Sequence, residues 1–466
     1  MARITADLCV IGAGSAGLSL VAGAQQMGAR CVLIEGGVMG GDCLNTGCVP
    51  SKSLLAVAKL AQSRRDGAGL GVLPVEPQVD FAAVQAHVQR VIAQIAPVDS
   101  QARFEGLGVR VIRGWATFLS PTDVQAGGDV ITARRFVIAT GSHPVVPDLP
   151  GLTTYLTNET IFALQDRPRH LVILGGGPIG VEMAQAHRRL GSEVTLIARS
   201  RILSRDDPEA ATLVLARLRA EGVTVLEQSS AVAVSGAVVT LADGRQVDGS
   251  HLLLALGRKP ALDRLDLAKA EVEVTARGVK VDRSLRSTNR RVYAIGDVAG
   301  GRQFTHVAGY QAGVVLRQVV LGLPARERTD HIPAVTYTDP ELAQIGPTEA
   351  EARKLYGSAL TVTRADHAHN DRAITEGHQT GFLKLMVVGG RPAGVTIVGA
   401  QAGELIGLWA LVISQRLKLR AVADMVAPYP TLGELSKRAA GSYFSPKLFD
   451  NPLIKRIVRF VQDWLH

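Results

Sequence analysis

Short aliphatic runs, each closed by a glycine turn, set the rhythm of the first half of the chain. Leu8-Cys9-Val10-Ile11 reads as a strand, and Gly12-Ala13-Gly14-Ser15-Ala16-Gly17 follows it at once. An aliphatic helix then runs to about Gly28, and a second strand, Cys31-Val32-Leu33-Ile34, ends at Glu35. The order strand, glycine turn, helix, strand is a βαβ unit with the dinucleotide fingerprint. Gly12 permits the tight turn, Gly14 lets backbone approach a pyrophosphate, and Gly17 lets helix and strand pack closely. The helix N-terminus offers its free N–H groups to the anion, and Glu35 is placed to hold a ribose hydroxyl.

The pattern returns once. Leu171-Val172-Ile173-Leu174 leads into Gly175-Gly176-Gly177-Pro178-Ile179-Gly180, a helix to about Leu190, and the strand Val194-Thr195-Leu196-Ile197. Each unit is followed later by an apolar strand ending in a glycine turn: Phe136 to Gly141 in the first, His251 to Gly257 in the second. A further strand, Val292-Tyr293-Ala294-Ile295, leads to Gly296-Asp297. From about residue 331 the texture shifts to mixed strands and helices, with helical stretches near 403–417 and 433–440. The pattern predicts an α/β protein: two Rossmann-like dinucleotide-binding domains and a C-terminal α+β domain. The boundaries fall at 1–150 with 280–330, at 151–279, and at 331–466.

Spacing assigns the nucleotides. Glu35 lies 23 residues after Gly12, and the same offset from Gly175 gives Ala198. The second site therefore lacks the ribose-binding carboxylate, and Arg199, Arg201 and Arg205 follow. Arginine accepts a 2′-phosphate that a carboxylate would repel, so the second site favours NADPH. The first site, with Glu35, suits the ADP half of FAD.

Composition narrows the class. Of 466 residues, 47% are hydrophobic and 20% charged, as expected of a folded soluble protein. The net charge of +9 could attract nucleotides or an acidic surface, but no basic run interleaved with aromatics points to nucleic acid. No apolar run reaches bilayer-spanning length and no secretory signal opens the chain, so a cytoplasmic location is expected. His367-Ala368-His369 has no evident carboxylate or cysteine partner, and no resident metal is expected.

Four cysteines are too few for a disulfide scaffold. Two of them, Cys43 and Cys48, stand five positions apart and could meet on one side of a distorted helical turn. By spacing alone they could be two buried thiols, half a zinc site or a redox pair.

The segment Gly40-Gly41-Asp42-Cys43-Leu44-Asn45-Thr46-Gly47-Cys48-Val49-Pro50-Ser51-Lys52 resembles the redox centre of the class I pyridine nucleotide-disulfide oxidoreductases, a family that includes glutathione reductase, dihydrolipoyl dehydrogenase and mercuric reductase. The resemblance extends through both glycine fingerprints, Ala139-Thr140-Gly141, Gly257-Arg258-Lys259-Pro260, Gly296-Asp297-Val298, Thr338-Asp339-Pro340-Glu341 and Pro430-Thr431. It implies a homodimer and a relay from NADPH through FAD to a Cys43–Cys48 disulfide. Cys48 would lie next to the flavin, and Cys43 would be the outer thiol that meets the acceptor. Lys52 would sit near the flavin and pair with Glu182. Thr140 and Gly141 belong to the FAD-side turn, Asp297 would hold the FAD ribitol, and Arg199, Arg205 and Arg258 would contact NADPH. Gly175, Gly177 and Gly180 would shape the NADPH turn. Pro178 stands where many relatives carry a tyrosine lid.

One departure bears on the acceptor. Disulfide-reducing members place a histidine just before a Pro-Thr pair, supported by a glutamate five residues on, and the histidine acts from the partner subunit as acid–base for the outer thiol. Here Glu434 is kept, but the histidine position is Tyr429. A phenol with a pKa of about 10 is a poor proton shuttle near neutrality, so reduction of small disulfides is expected to be inefficient. Mercuric reductase looks similar at Tyr429. No cysteine follows Cys48 in this sequence, so a mercury cycle that needs a C-terminal cysteine pair is not expected. The reading is an NADPH:acceptor oxidoreductase acting on a disulfide or a metal ion. The alternatives are a dihydrolipoyl-dehydrogenase-type enzyme using NAD and a membrane-associated flavoprotein.

The tail carries Ile454, Ile457, Val458, Val461 and Leu465 at helical spacing. Lys455, Arg456 and Arg459 lie off that stripe, and Phe460 and Trp464 sit near its edge. A basic amphipathic helix over 451–466 is predicted. Docking on the protein's own surface or on a second subunit is the expectation, and peripheral contact with the inner face of a membrane is the alternative.

Overall fold

The computed structural model describes residues 2–465. The first unit is built as the pattern predicts: β1 (Arg3–Ile11), α1 (Ser15–Gln26) and β2 (Cys31–Glu35). β1 is central, pairing in parallel with β2 on one side and with the strand Asp129–Ile138 on the other. Its apolar run is unbroken because successive side chains enter different cores. Cys9 and Ile11 pack into one cluster, Leu8 and Val10 into another on the opposite face. β1 starts earlier than the sequence pattern suggested. Residues 3–6 alternate exposed and buried, with Ile4 and Ala6 turned inward, a half-buried pattern that a search for solid apolar runs overlooks.

Two glycines are required by geometry. Gly12 has φ +108°, and a Cβ there would lie 2.4 Å from the Ala139 carbonyl oxygen. A Cβ on Gly17 would lie 1.9 Å from the Gly12 carbonyl oxygen, so any side chain would push α1 off the strand turn. Gly175 and Gly180 repeat these relationships in the second unit.

That second unit is a parallel sheet in the order Thr224–Leu226, Glu193–Ile197, His170–Leu174, His251–Leu254. The helix Pro178–Arg189 follows its first strand. After it the chain returns to the first sheet: Val292–Ala294 pairs in parallel with Asp129–Ile138. Entry and exit are joined, because Arg258–Pro260 pairs antiparallel with Ser142–Pro144. The last part holds a five-stranded antiparallel sheet, Pro333–Thr336, Glu341–Ile345, Arg391–Gly399, Phe382–Val388 and Leu360–Asp366. The helices Ala402–Ser414 and Glu434–Phe449 close its core around Trp409. The fold is thus α/β with two dinucleotide-type sheets and a C-terminal α+β part.

Buried ion pairs fix the parts together. Arg189, 3% exposed, meets Glu221 at 2.6 Å and Asp339 of the C-terminal part at 2.9 Å. Lys384 of the C-terminal sheet reaches Asp207 of the second unit at 3.0 Å and Glu349 at 3.0 Å. Charges this buried cost stability when one partner is removed, so they hold one relative placement of the sheets.

The tail is the helix Pro452–Trp464, inside the 451–466 expected, of which residue 466 lies outside the described residues; none of the helix's residues is buried. The expected docking on the protein's own surface is not met among the described residues. Periodicity foretells an apolar face; it does not say what covers that face. No helix among the described residues is long and apolar enough to cross a membrane.

Candidate active site

The cysteine pair sits where the first unit faces the second. Two helices carry it: α2 (Gly41–Asn45), which holds Cys43, and α3 (Cys48–Ser63), which Cys48 opens. Thr46 and Gly47 break the helix between them, so the pair spans a junction of two helices where a single distorted turn was expected. The junction is pinned through Asp42, whose Oδ1 accepts from Asn158 Nδ2 at 2.8 Å and from Thr46 Oγ1 at 2.9 Å.

Both cysteines are free thiols in the structure. The interaction between the two thiols is the largest influence on the ionisation of each. It holds Cys48 below the ordinary thiol range and pushes Cys43 far above it, so the pair shares one proton with the negative charge on Cys48. Thr305, whose Oγ1 lies 3.4 Å from Cys48 Sγ, and the positive charge of Lys52 also favour the Cys48 thiolate, while burial and Asp42 oppose it. Thr305 opens the helix Thr305–Val319, which has no side-chain cap, so the helix N-terminus adds its dipole. Sequence reading passed over Thr305; a hydroxyl at a helix start is too common a signal to single out. Cys43 is half-buried and Cys48 exposed. Exposure alone would not choose Cys43 as the outer thiol; that assignment rests on the resemblance.

Lys52, one turn into α3, crosses to the second unit. Its Nζ is 2.8 Å from Glu182 Oε2, and Glu182 is 5% exposed. The other oxygen of Glu182 accepts from the backbone N–H of Tyr337 at 2.9 Å. The Tyr337 ring lies 4.6 Å from Lys52 Nζ, a cation–π contact. Tyr337 was missed, although its neighbours Thr338 to Glu341 were singled out.

The nucleotide-type turns have the chemistry to hold anions. The N-caps of α1 and of Pro178–Arg189 are Gly14 and Gly177, and neither helix has a side-chain cap. The first-turn N–H groups are therefore left for a ligand. A Cβ on Gly14 would meet nothing closer than Gly41 Cα at 3.8 Å, which leaves that approach open. Glu35 ends β2 with its carboxylate toward the turn, accepting from Ala13 N and Gly37 N at 2.6 Å each. These features fit a dinucleotide pyrophosphate and ribose.

At the second turn Ala198 is buried, and Arg199, Arg201 and Arg205 are exposed. None of the three pairs with a carboxylate among the described residues. Asp206, beside Arg205, is pushed up to about 6 by burial.

Arg258 turns toward the first unit: its guanidinium donates to Ser142 Oγ at 2.8 Å and Ser142 O at 2.7 Å, and it lies 3.2 Å from Asp42 Oδ1. Asp297, which accepts from Ser142 Oγ, is 3.9 Å away. The antiparallel ribbon at 258–260 turns Arg258 back onto the first unit, which spacing along the chain could not show. Burial raises Asp297, against the pull of Ser142 and Arg258. Thr140 Oγ1 donates to Ala261 O at 2.7 Å, tying Gly141's turn to the same ribbon.

Within the chain Tyr429 and Glu434 hydrogen-bond to neighbours in the C-terminal part, and neither bonds to the dithiol among the described residues. Tyr429 is 71% exposed on the C-terminal part, and its hydroxyl donates to Asp371 Oδ2 at 2.8 Å. That bond raises its pKa further. Glu434 accepts weakly from Thr431 N at 3.4 Å.

Fold and site together define an oxidoreductase that works between bound dinucleotides and a dithiol. Comparison with known proteins agrees. Residues 6–312 match the family described as pyridine nucleotide-disulphide oxidoreductase, and residues 332–440 match the dimerisation domain of that family. The chain is similar to a mercuric reductase of Acidithiobacillus ferrooxidans, 36% identical over 94% of this chain and 82% of that protein. It is also similar to a dihydrolipoyl dehydrogenase of Bacillus subtilis, 31% identical over 94% of this chain and 96% of the other. Among solved structures it resembles the Cu(II) complex of RclA, an HOCl-induced flavoprotein disulfide reductase of Escherichia coli. The two superpose with a TM-score of 0.84 at 27% identity, over 94% of this chain and 99% of that one. The chain belongs to the pyridine nucleotide-disulphide oxidoreductases. It is an enzyme of a flavoprotein family whose members use FAD and a pyridine nucleotide.

Proposed function

We propose that this enzyme is an NADPH-dependent, FAD-containing homodimer whose Cys43–Cys48 pair cycles between disulfide and dithiol and passes two electrons to a disulfide or a metal ion. The observation that carries the reading is the dithiol itself: Cys48 held as thiolate by Cys43, Thr305 and Lys52, at the seam of two dinucleotide-type units. FAD would lie on 1–150 and 280–330, NADPH on 151–279, and 331–466 would supply the dimer interface.

When bound, FAD and NADPH supply the hydride donor and the two-electron relay. The rest is the work of the chain. Gly12, Gly14, Gly17 and the first turn of α1 receive the FAD pyrophosphate, with Glu35 on the ribose, Asp297 on the ribitol and Thr140-Gly141 shaping the turn beside it. Gly175, Gly177 and Gly180 do the same for NADPH. Arg199 and Arg205, exposed and without an ion-pair partner among the described residues, receive its 2′-phosphate. Glu182 orients Lys52.

Toward a disulfide acceptor, Cys43 attacks one acceptor sulfur and the sulfur–sulfur bond breaks; the leaving acceptor sulfur takes up the Cys43 proton and departs as a thiol. Cys48 thiolate then attacks Cys43, restores the internal disulfide and releases the second acceptor sulfur as a thiolate. Toward a soft metal ion the same two sulfurs are ligands. Tyr429 and Glu434 would face this centre from the partner subunit, and a phenol there favours the metal arm over a disulfide that needs a proton shuttle. Cu(II) is the natural first probe, since the solved relative was captured with it. A cytoplasmic location is part of the proposal. The tail 451–466 adds a peripheral membrane contact on grounds independent of the redox centre.

The test is stopped-flow reduction by NADPH and by NADH, followed by an acceptor panel of glutathione disulfide, lipoamide, Hg(II), Cu(II), quinones and oxygen. NADPH-driven reduction that disappears in Cys43→Ser supports the reading. Preference for NADH with efficient turnover of lipoamide would replace it with a dihydrolipoyl-dehydrogenase-type enzyme.

A further inference from the structure

The tail helix Pro452–Trp464 presents an apolar face that the redox reading leaves unused. Leu453, Ile457, Phe460, Trp464 and Leu465 are each at least 60% exposed. At about 100° per residue, Leu453, Ile454, Ile457, Val458, Phe460, Val461, Trp464 and Leu465 fall within one arc of about 160°. Lys455, Arg456, Arg459, Gln462 and Asp463 share the opposite arc. The segregation is complete: no polar residue interrupts the apolar arc. Phe460 and Trp464 lie ring to ring at 5.7 Å near one margin of it. Leu448 and Phe449, at the end of the preceding helix, are exposed as well.

Three observations select the occupant. First, Lys455, Arg456 and Arg459 have no carboxylate partner among the described residues, and Asp463 is the helix's one acidic residue. Second, Lys455 and Arg456 flank the apolar arc on its two sides. A second copy packed face to face would bring these like charges together along the seam, whereas anionic headgroups would neutralise them. Third, the region matched to the dimerisation domain ends at residue 440, so the helix lies outside the part shared with that domain. A helix of 13 residues is about 20 Å long, too short for a bilayer core of about 30 Å, which leaves an in-plane orientation.

We infer that the tail helix lies flat on an anionic lipid surface, apolar arc down and basic flanks on the headgroups. The contact places the enzyme at a membrane without spanning it. Because the helix touches none of the redox residues, the inference stands or falls apart from the proposed acceptor.

The test uses the full-length holoenzyme, sedimented with vesicles of 30% phosphatidylglycerol in phosphatidylcholine and with pure phosphatidylcholine vesicles. Expected are binding to the anionic vesicles at least tenfold tighter than to the neutral ones, weakening as salt rises, and a blue shift of Trp464 emission on binding. Phe460→Ala/Trp464→Ala and Lys455→Glu/Arg456→Glu should each lower partitioning about tenfold or more while NADPH-driven activity in solution stays unchanged, which shows that the variants fold. Failure of the full-length enzyme to bind anionic vesicles overturns the inference, as does binding that survives removal of residues 451–466. A tail-dependent rise in oligomer size in lipid-free solution would also overturn it, assigning the face to a second copy.

Discussion

Lys52 of α3 reaches across the boundary between the two nucleotide-type units to Glu182, 2.8 Å away and almost fully buried. One ion pair thus joins the helix that begins at the redox cysteine to the helix that begins at the second glycine turn. Its placement depends on both units at once.

Breaking that pair should cost rate before stability. Glu182→Gln removes the counter-charge, frees Lys52 and loosens its aim at the site. Misplacement of about 1 Å costs on the order of 100-fold, so the rate of enzyme reduction by NADPH should fall about 10- to 100-fold in rapid-mixing experiments. Lys52 is 37% exposed, so solvent screening limits the loss of unfolding free energy to about 1–2 kcal/mol, measurable by urea titration.

The dithiol should show its shared proton directly. Cys48 is pulled down to about 6, first by its interaction with Cys43, so in the reduced protein one thiolate should persist through neutrality and disappear as the pH falls through about 6. The ultraviolet thiolate absorbance of reduced enzyme reads this. Thr305→Val removes a hydrogen bond to a charged group, worth about 1.5–3 kcal/mol, and should raise the midpoint by about one to two units. A midpoint that stays put would remove Thr305 from the site.

The tyrosine should govern acceptor choice. Asp371 raises Tyr429 through the bond from its hydroxyl, which makes the phenol a still poorer acid–base group near neutrality. Tyr429→His, with Glu434 left in place to support the imidazole, should raise reduction of glutathione disulfide or lipoamide by about tenfold or more, at the low end of what a positioned acid–base group provides. An unchanged rate in the coupled assay would show that the tyrosine is not the limiting feature.

Coenzyme preference should reverse by charge. Arg199→Glu/Arg205→Glu places carboxylates where the exposed guanidiniums stand. kcat/KM for NADPH should drop about 100-fold or more, the equivalent of about 2.7 kcal/mol, while that for NADH holds or rises. Equal losses with both coenzymes would point to a folding defect instead.

Much of this architecture is written locally. Gly12 and Gly17, or Gly175 and Gly180, act on neighbours within a few residues, so their spacing suffices to announce the turn, the helix and the strand. The Cys43–Cys48 motif is equally local. What stayed hidden depends on chain brought from afar. Tyr337 meets Lys52 because the C-terminal sheet edge passes α3, and Thr305 meets Cys48 because a helix start 257 residues on points at it. The contacts of Arg258 with Ser142 and Asp42 were hidden for the same reason, since only the pairing of 258–260 with 142–144 reveals which way it turns. The tail shows the converse, a helix legible residue by residue whose surroundings no periodicity could supply.

That short ribbon at 142–144 and 258–260 has an evolutionary corollary. The intervening segment leaves the parent sheet and comes back at one zipped stalk, and Val292–Ala294 resumes the parent sheet shortly afterwards. A lineage that exchanged this segment at the stalk would therefore also have to inherit or rebuild its outside partners, Lys52 for Glu182 and Asp339 for Arg189, so the segment and the rest of the chain evolve as a matched set.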